Sequence, residues 1–179
     1  GARVRASRGA AVGAWWARVG AADGRRAGLG SVGGGAVGRR AGGHRSEIDG
    51  GEPRLAGQQM PLAEEMDTRG SERQVGPVDS PVIHTPGAVS MGNPHVVFFT
   101  DRQDDACVRG AGSLIEHHPL FPEGVNVGFA HVLAPDHIRL RVWERGAGLT
   151  QACGTGACAA LVAAHRRGLT GRSATLTLD

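Results

Sequence analysis

The chain is 179 residues long, with 30 glycines, no tyrosine, four phenylalanines and twenty basic residues that are all arginine; it has room for one ordinary domain plus an appendage. Charge is uneven: residues 1–45 set nine Arg against Asp23 alone, a net +8, while residues 46–179 carry a net −5, so the high pI belongs to the front segment and not to the whole protein. Three cysteines without CxxC or metal-ligand spacing argue against a disulfide-stapled secreted fold and a zinc site, and no apolar run approaches the eighteen residues of a membrane span.

In chain order, residues 1–47 are Gly, Ala, Arg and Val with no evident period of 2 or 3.6, and Gly33-Gly34-Gly35 and Gly42-Gly43 break helix and strand alike. A segment with so little apolar bulk is expected to be poorly ordered. Its short apolar run at 9–17 stops at Arg18, too soon for a secretory leader. Its charge is the sole argument for a nucleic-acid partner, since aromatic residues reach only Trp15-Trp16.

From Ile48 the texture changes, and residues 48–179 read as one α/β (α+β) domain. Strands are expected at 88–91 and 96–100, separated by a Gly92-Asn93-Pro94 corner. A helix is expected at 107–118, ending before Pro119. Two further strands, 125–133 and 137–143, flank an Ala134-Pro135-Asp136 turn, with Ile138, Leu140 and Val142 in alternation. A small-residue helix at 154–167 stops at Gly168, and a strand at 173–178 follows.

Chemistry concentrates at Ala152-Cys153-Gly154-Thr155-Gly156-Ala157-Cys158. A thiol at a helix start meets N–H groups without intrahelical partners and partial positive charge, which predicts a lowered pKa and a base usable near neutrality. The same N–H groups and the Thr155 hydroxyl suit a substrate carboxylate. Cys158, five residues on among alanines, reads as buried and inert. Glu144-Arg145, closing the preceding strand, pairs an acid and a guanidinium able to bind an ammonium and a carboxylate, although alone such a pair is an ordinary surface feature. Asn93 and His95 flank Pro94 at the strand corner, either as an Asx-type turn or as a substrate amide and an imidazole acting on a thiol. Asn126 in an apolar strand either ties backbone together or faces a ligand. His117-His118 has no carboxylate or Cys at ligand spacing and reads as a helix end.

Taken together, residues 48–179 resemble the diaminopimelate epimerase family. The matching words are Gly51-Glu52-Pro53, Ser90-Met91-Gly92-Asn93-Pro94-His95, Glu116-His117-His118-Pro119-Leu120-Phe121-Pro122, Asn126-Val127-Gly128-Phe129, Trp143-Glu144-Arg145-Gly146-Ala147-Gly148 and the Cys153 turn. Their order and spacing are specific where each alone is weak. Proline racemases share a Cys-Gly-Thr-Gly turn, but the Gly-Asn-Pro-His and His-Pro-Leu-Phe-Pro words point away from them.

The resemblance implies a cytoplasmic isomerase of lysine biosynthesis that interconverts LL- and meso-diaminopimelate without cofactor or metal, by proton transfer between two cysteines on opposite faces of the α-carbon. It implies Cys153 as one of these thiols, Glu144 as its partner and His95 as an aid to the opposing thiol. Asn93, Asn126, Glu144, Arg145, Gly154 and Thr155 match substrate-binding positions. The implied fold is a mixed sheet curved around a central helix; the implied partner is a small amino acid, with no membrane and with a homodimer compatible. The family's opposing cysteine lies in a Cys-Gly-Asn-Gly turn that residues 1–47 do not contain, and no Cys precedes Cys107. The expectation is therefore a half-site with little or no epimerase activity. A proline or hydroxyproline racemase, and an inactive fragment with a nucleic-acid-binding tail, are the alternatives.

Overall fold

A computed structural model describes residues 2–8 and 15–21 at the level of the backbone, and residues 52–72, 74–76, 81–151 and 153–178 with side chains. Two front strands, β1 (Ala2–Arg8) and β2 (Trp15–Ala21), precede a single 3₁₀ turn, Gly57–Gln59. The short strands β3 (Gln74–Val75) and β4 (Ile83–His84) form a separate pair. Then come β5 (Gly87–Ser90), β6 (Pro94–Phe99), helix α1 (Asp105–Glu116), β7 (Asn126–Ala134), β8 (His137–Glu144), β9 (Gly148–Thr150), helix α2 (Gly154–Arg166) and β10 (Ser173–Thr177).

The large sheet runs β2-β1-β10-β8-β7-β6-β5, with β9 on β8. Two neighbouring pairs are parallel, β6 with β7 and β8 with β10, and the others are antiparallel. A parallel pair needs a crossover, and each crossover here carries a helix: α1 between β6 and β7, α2 between β8 and β10. The two helices cover opposite faces.

The period-2 alternation of the central strands shows how. Val97, Ala130, Ile138, Leu140, Val142 and Leu176 pack with α2, whereas Val96, Phe98, Val127 and Phe129 pack with α1. Every residue of α2 from Gly156 to Ala164 is buried, as expected of a helix that is apolar all round. Its alanines let the sheet approach closely, and α2 touches strands from β5 round to β10 and the front pair. The mixed sheet curved around a central helix is therefore present. Gly168, with φ +71°, follows α2 in the left-handed conformation that ends helices.

The expected strand and helix positions recur with small shifts. Helix α1 starts two residues before the expected 107, because Asp104 caps it by accepting from the Cys107 N–H at 2.9 Å. The larger difference lies at the front. Residues 2–8 and 15–21 are paired strands, and β1 joins β10 in register Val4 with Ala174. Ala2, Val4 and Ala6 alternate with Arg3, Arg5 and Ser7, a period of 2 hidden by the overall Gly/Arg content. The remaining residues of the 1–47 segment, and with them the two glycine runs, lie outside the described residues. Among the described residues no helix is long and apolar enough to cross a membrane.

Candidate active site

Three pieces of chain meet at one end of α2. The first is Cys153 itself, the N-cap of the helix, with an extended backbone. Its Sγ accepts from the Gly156 N–H at 3.3 Å and lies 3.6 Å from the Thr155 Oγ1. Gly156 makes this possible, since a Cβ there would stand 3.1 Å from the sulfur and 3.2 Å from Val142 Cγ2. The thiol is buried, only 6% exposed.

The second piece is the end of β8 and its return through β9. Glu144 pairs with Gly148 across a turn in which both Gly146 (φ +75°) and Gly148 (φ +78°) take the left-handed conformation. The Glu144 carboxylate is held by the Thr150 hydroxyl, which donates to Oε1 at 2.5 Å, and its negative charge raises the pKa of the Cys153 thiol. Arg145 is exposed and donates from Nη1 to the Glu123 carbonyl at 2.9 Å.

The third piece is the β5–β6 corner. His95 Nε2 lies 3.1 Å from Asn93 Oδ1, and Asn93 Nδ2 donates to Thr155 Oγ1 at 3.4 Å. His95, Asn93, Thr155 and Cys153 thus form one polar chain, whose last link is a hydroxyl–thiol contact in which either group can supply the hydrogen. Burial, with the Arg145 charge adding to it, lowers the His95 pKa to about 3. His95 is a neutral imidazole at ordinary pH, and Asn93 Oδ1 fixes its proton on Nε2.

The lowered thiol pKa expected from the helix start is not what this site produces. Burial pushes the Cys153 thiol up, and the Glu144 carboxylate pushes it further. The Thr155 hydroxyl and Gly156 N–H pull the other way but do not prevail. Desolvation outweighs the helix terminus because sulfur sits under the first turn, away from water. The resting group is a thiol, a proton donor.

Asn126 lies beside His95 in the β6–β7 register. Of the two readings of this residue, the backbone tie is the one observed: Nδ2 donates to the Pro94 carbonyl at 2.9 Å and Oδ1 accepts from the Arg145 N–H at 3.0 Å. One amide lies between the β6 corner and the β8 turn and holds both. Gly154 and Thr155 form the first turn of α2, ahead of its first intrahelical bonds. Cys153, Glu144, His95, Asn93, Arg145, Gly154 and Thr155 are thus all carried by these three pieces, and Asn126, at the start of β7, ties two of them together. Cys158 is buried among the alanines of α2, as expected, and His118 is a helix-end residue whose Nδ1 accepts from the Leu120 N–H.

Two participants were not legible beforehand. Thr150 belongs to β9, too short to stand out. Glu116 was one letter in the Glu-His-His-Pro word; it is a buried carboxylate at the end of α1, with Oε2 accepting from the Trp143 indole and Oε1 from the Gly146 N–H, each at 2.7 Å.

The sequence model of the diaminopimelate epimerase family matches residues 87–179. A protein from Caulobacter sp. (strain K31) named diaminopimelate epimerase is 66% identical over 150 residues, covering 83% of this chain and 52% of its own. Proteins of the same name from Caulobacter vibrioides (strain NA1000 / CB15N) and Methylobacterium sp. (strain 4-46) are 68% and 59% identical over 133 residues. They cover 74% and 73% of this chain, and 46% and 45% of their own. The chain spans about half the length of the curated relatives it matches.

Proposed function

The chain belongs to the diaminopimelate epimerase family, and from that premise we propose that it supplies one of two acid/base thiols that interconvert LL- and meso-diaminopimelate. The observation that carries this reading is the buried Cys153 thiol at the N-cap of α2, in contact with the Thr155 hydroxyl and the Gly156 N–H and under the influence of the Glu144 charge. In one direction Cys153 gives its proton to the α-carbanion while an opposing thiolate has taken the α-proton from the other face; in the reverse direction the roles exchange. For Cys153 to act as base its thiolate must form beside a carboxylate. A substrate ammonium bound at Glu144 offsets that negative charge, which couples substrate binding to deprotonation. The substrate carboxylate is placed at the Gly154 and Thr155 N–H groups, and Asn93 and Arg145 line the approach. His95, neutral and tied to Asn93, serves the opposing thiol as a hydrogen-bond partner. The chemistry requires neither cofactor nor metal, and free thiols fit the cytoplasm.

The test is ligand protection of Cys153, read by peptide-resolved mass spectrometry after iodoacetamide treatment. Diaminopimelate is expected to slow Cys153 alkylation severalfold while proline and hydroxyproline do not. An unchanged rate with diaminopimelate, or protection by proline, overturns the reading.

A further inference from the structure

Glu116 is a buried acid outside the set just described, and its geometry is specific. It is the last residue of α1 and only 6% exposed. Both carboxylate oxygens are used, Oε2 by the Trp143 indole N–H and Oε1 by the Gly146 backbone N–H. Trp143 and Gly146 bracket Glu144 and Arg145. The first lies at the end of a strand, pressed on α1 at Gly112, where a Cβ would fall 2.6 Å from the indole. The second lies at the left-handed tip of the turn. One carboxylate therefore holds both ends of the four-residue segment that carries Glu144.

We propose that Glu116 is a positioning residue, which fixes the Trp143–Gly146 turn so that the Glu144 carboxylate stays against the Cys153 thiol. The proposal rests on the reading of Cys153 and Glu144 as an acid/base pair, but not on the identity of the substrate. The charge matters as well as the shape. An indole and a backbone amide are two donors converging on one group; a carboxyl group accepts both, most strongly when ionised, whereas an amide would set an N–H against one of the two N–H donors. Burial raises the Glu116 pKa, but the Trp143 and Gly146 hydrogen bonds and the charges of His117 and Arg145 outweigh it, so the group is held ionised. His117 Nδ1 stands 4.0 Å from Oε2 on the same helix end, and Arg145 is the facing cation from the turn.

Glu116→Gln is the sensitive variant, because the amide keeps the shape and turns one acceptor into a donor. The readout is the pH dependence of Cys153 alkylation in the ligand-free 179-residue chain, resolved by peptide so that Cys107 and Cys158 do not contribute. With Glu144 released from the sulfur, the midpoint is expected to fall by about one pH unit, about a tenfold gain in thiolate at neutral pH. Glu144→Gln in the parent is expected to lower the midpoint likewise, and the two substitutions combined are expected to add little to either alone. A midpoint unchanged in Glu116→Gln, or full additivity of the two, overturns the proposal. Should Glu116→Gln not fold, amide exchange of Gly146 in the unaltered chain decides: protection despite its place on an exposed turn supports the contact, and exchange at the rate of an open loop overturns the proposal. Protection of Cys153 by diaminopimelate is a separate measurement, so failure of the substrate reading leaves this result interpretable.

Discussion

At the scale of single residues the site is governed by burial. Cys153 and His95 both lose their charged forms to desolvation, the thiol by a raised pKa and the imidazole by one lowered to about 3. For His95 the consequence reaches stability. The unfolded chain takes up a proton near the ordinary value of 6.5, and the folded chain does so only near 3. Between those values the unfolded state binds more protons, so stability falls as pH is lowered through that window and is intact above it. From pH 7 to pH 5 the loss attributable to His95 is about 2 kcal/mol, following from about 1.4 kcal/mol per pH unit of linkage. His95→Gln, which cannot titrate, is expected to show a flatter profile by that amount in urea unfolding at the two pH values. Equal slopes in parent and variant would show that the imidazole is not held neutral in the fold.

At the scale of elements, the contact between α1 and the end of β8 carries the turn. Gly112 was unremarkable in the sequence, yet a Cβ at that position would lie 2.6 Å from Trp143 Cγ and 2.7 Å from its Cβ. Replacing Gly by Ala inside a helix gains up to about 1 kcal/mol of propensity, whereas overpacking costs about 1–3 kcal/mol. The clash is with the indole root, which cannot swing away without releasing Glu116. Packing therefore wins, and Gly112→Ala is expected to lower the midpoint of thermal unfolding by several degrees in circular dichroism; an unchanged or raised midpoint would refute the wedge. The elements show what a sequence displays and what it hides. Helix α2 was legible because Gly154 to Ala164 is small and apolar and Gly168 ends it, and β7 and β8 because Ile138, Leu140 and Val142 alternate. Strands β3, β4 and β9 were not, being two or three residues long. The candidate site was visible as words such as Cys153-Gly154-Thr155, since local chemistry is written locally. The Glu116 contact joins residues 27 and 30 positions apart, which no local pattern reports.

At the scale of the whole molecule the sheet and α2 bring together the surroundings of Cys153, and the cysteines decide what the proposed acid/base chemistry can do in this chain. Of the three thiols, Cys158 is enclosed in the core of α2 and Cys107 lies on α1, packed with the cluster on the opposite face of the sheet. Burial and Asp104 raise the Cys107 pKa, with Arg102 opposing. The Thr155 contact and the Glu144 charge act on Cys153. Inversion at an α-carbon by the two-thiol route needs a base on one face and an acid on the other, and a single thiol reaches one face. A proton that Cys153 removes returns to the side it came from. The purified 179-residue chain, incubated with LL-diaminopimelate in deuterium oxide, is therefore expected to yield no meso isomer above a protein-free control, by chiral chromatography. Any α-deuterium that enters is expected to do so with retention. Formation of the meso isomer in step with deuterium, and its loss in Cys153→Ser, would show that a second acid/base group faces Cys153 within these 179 residues.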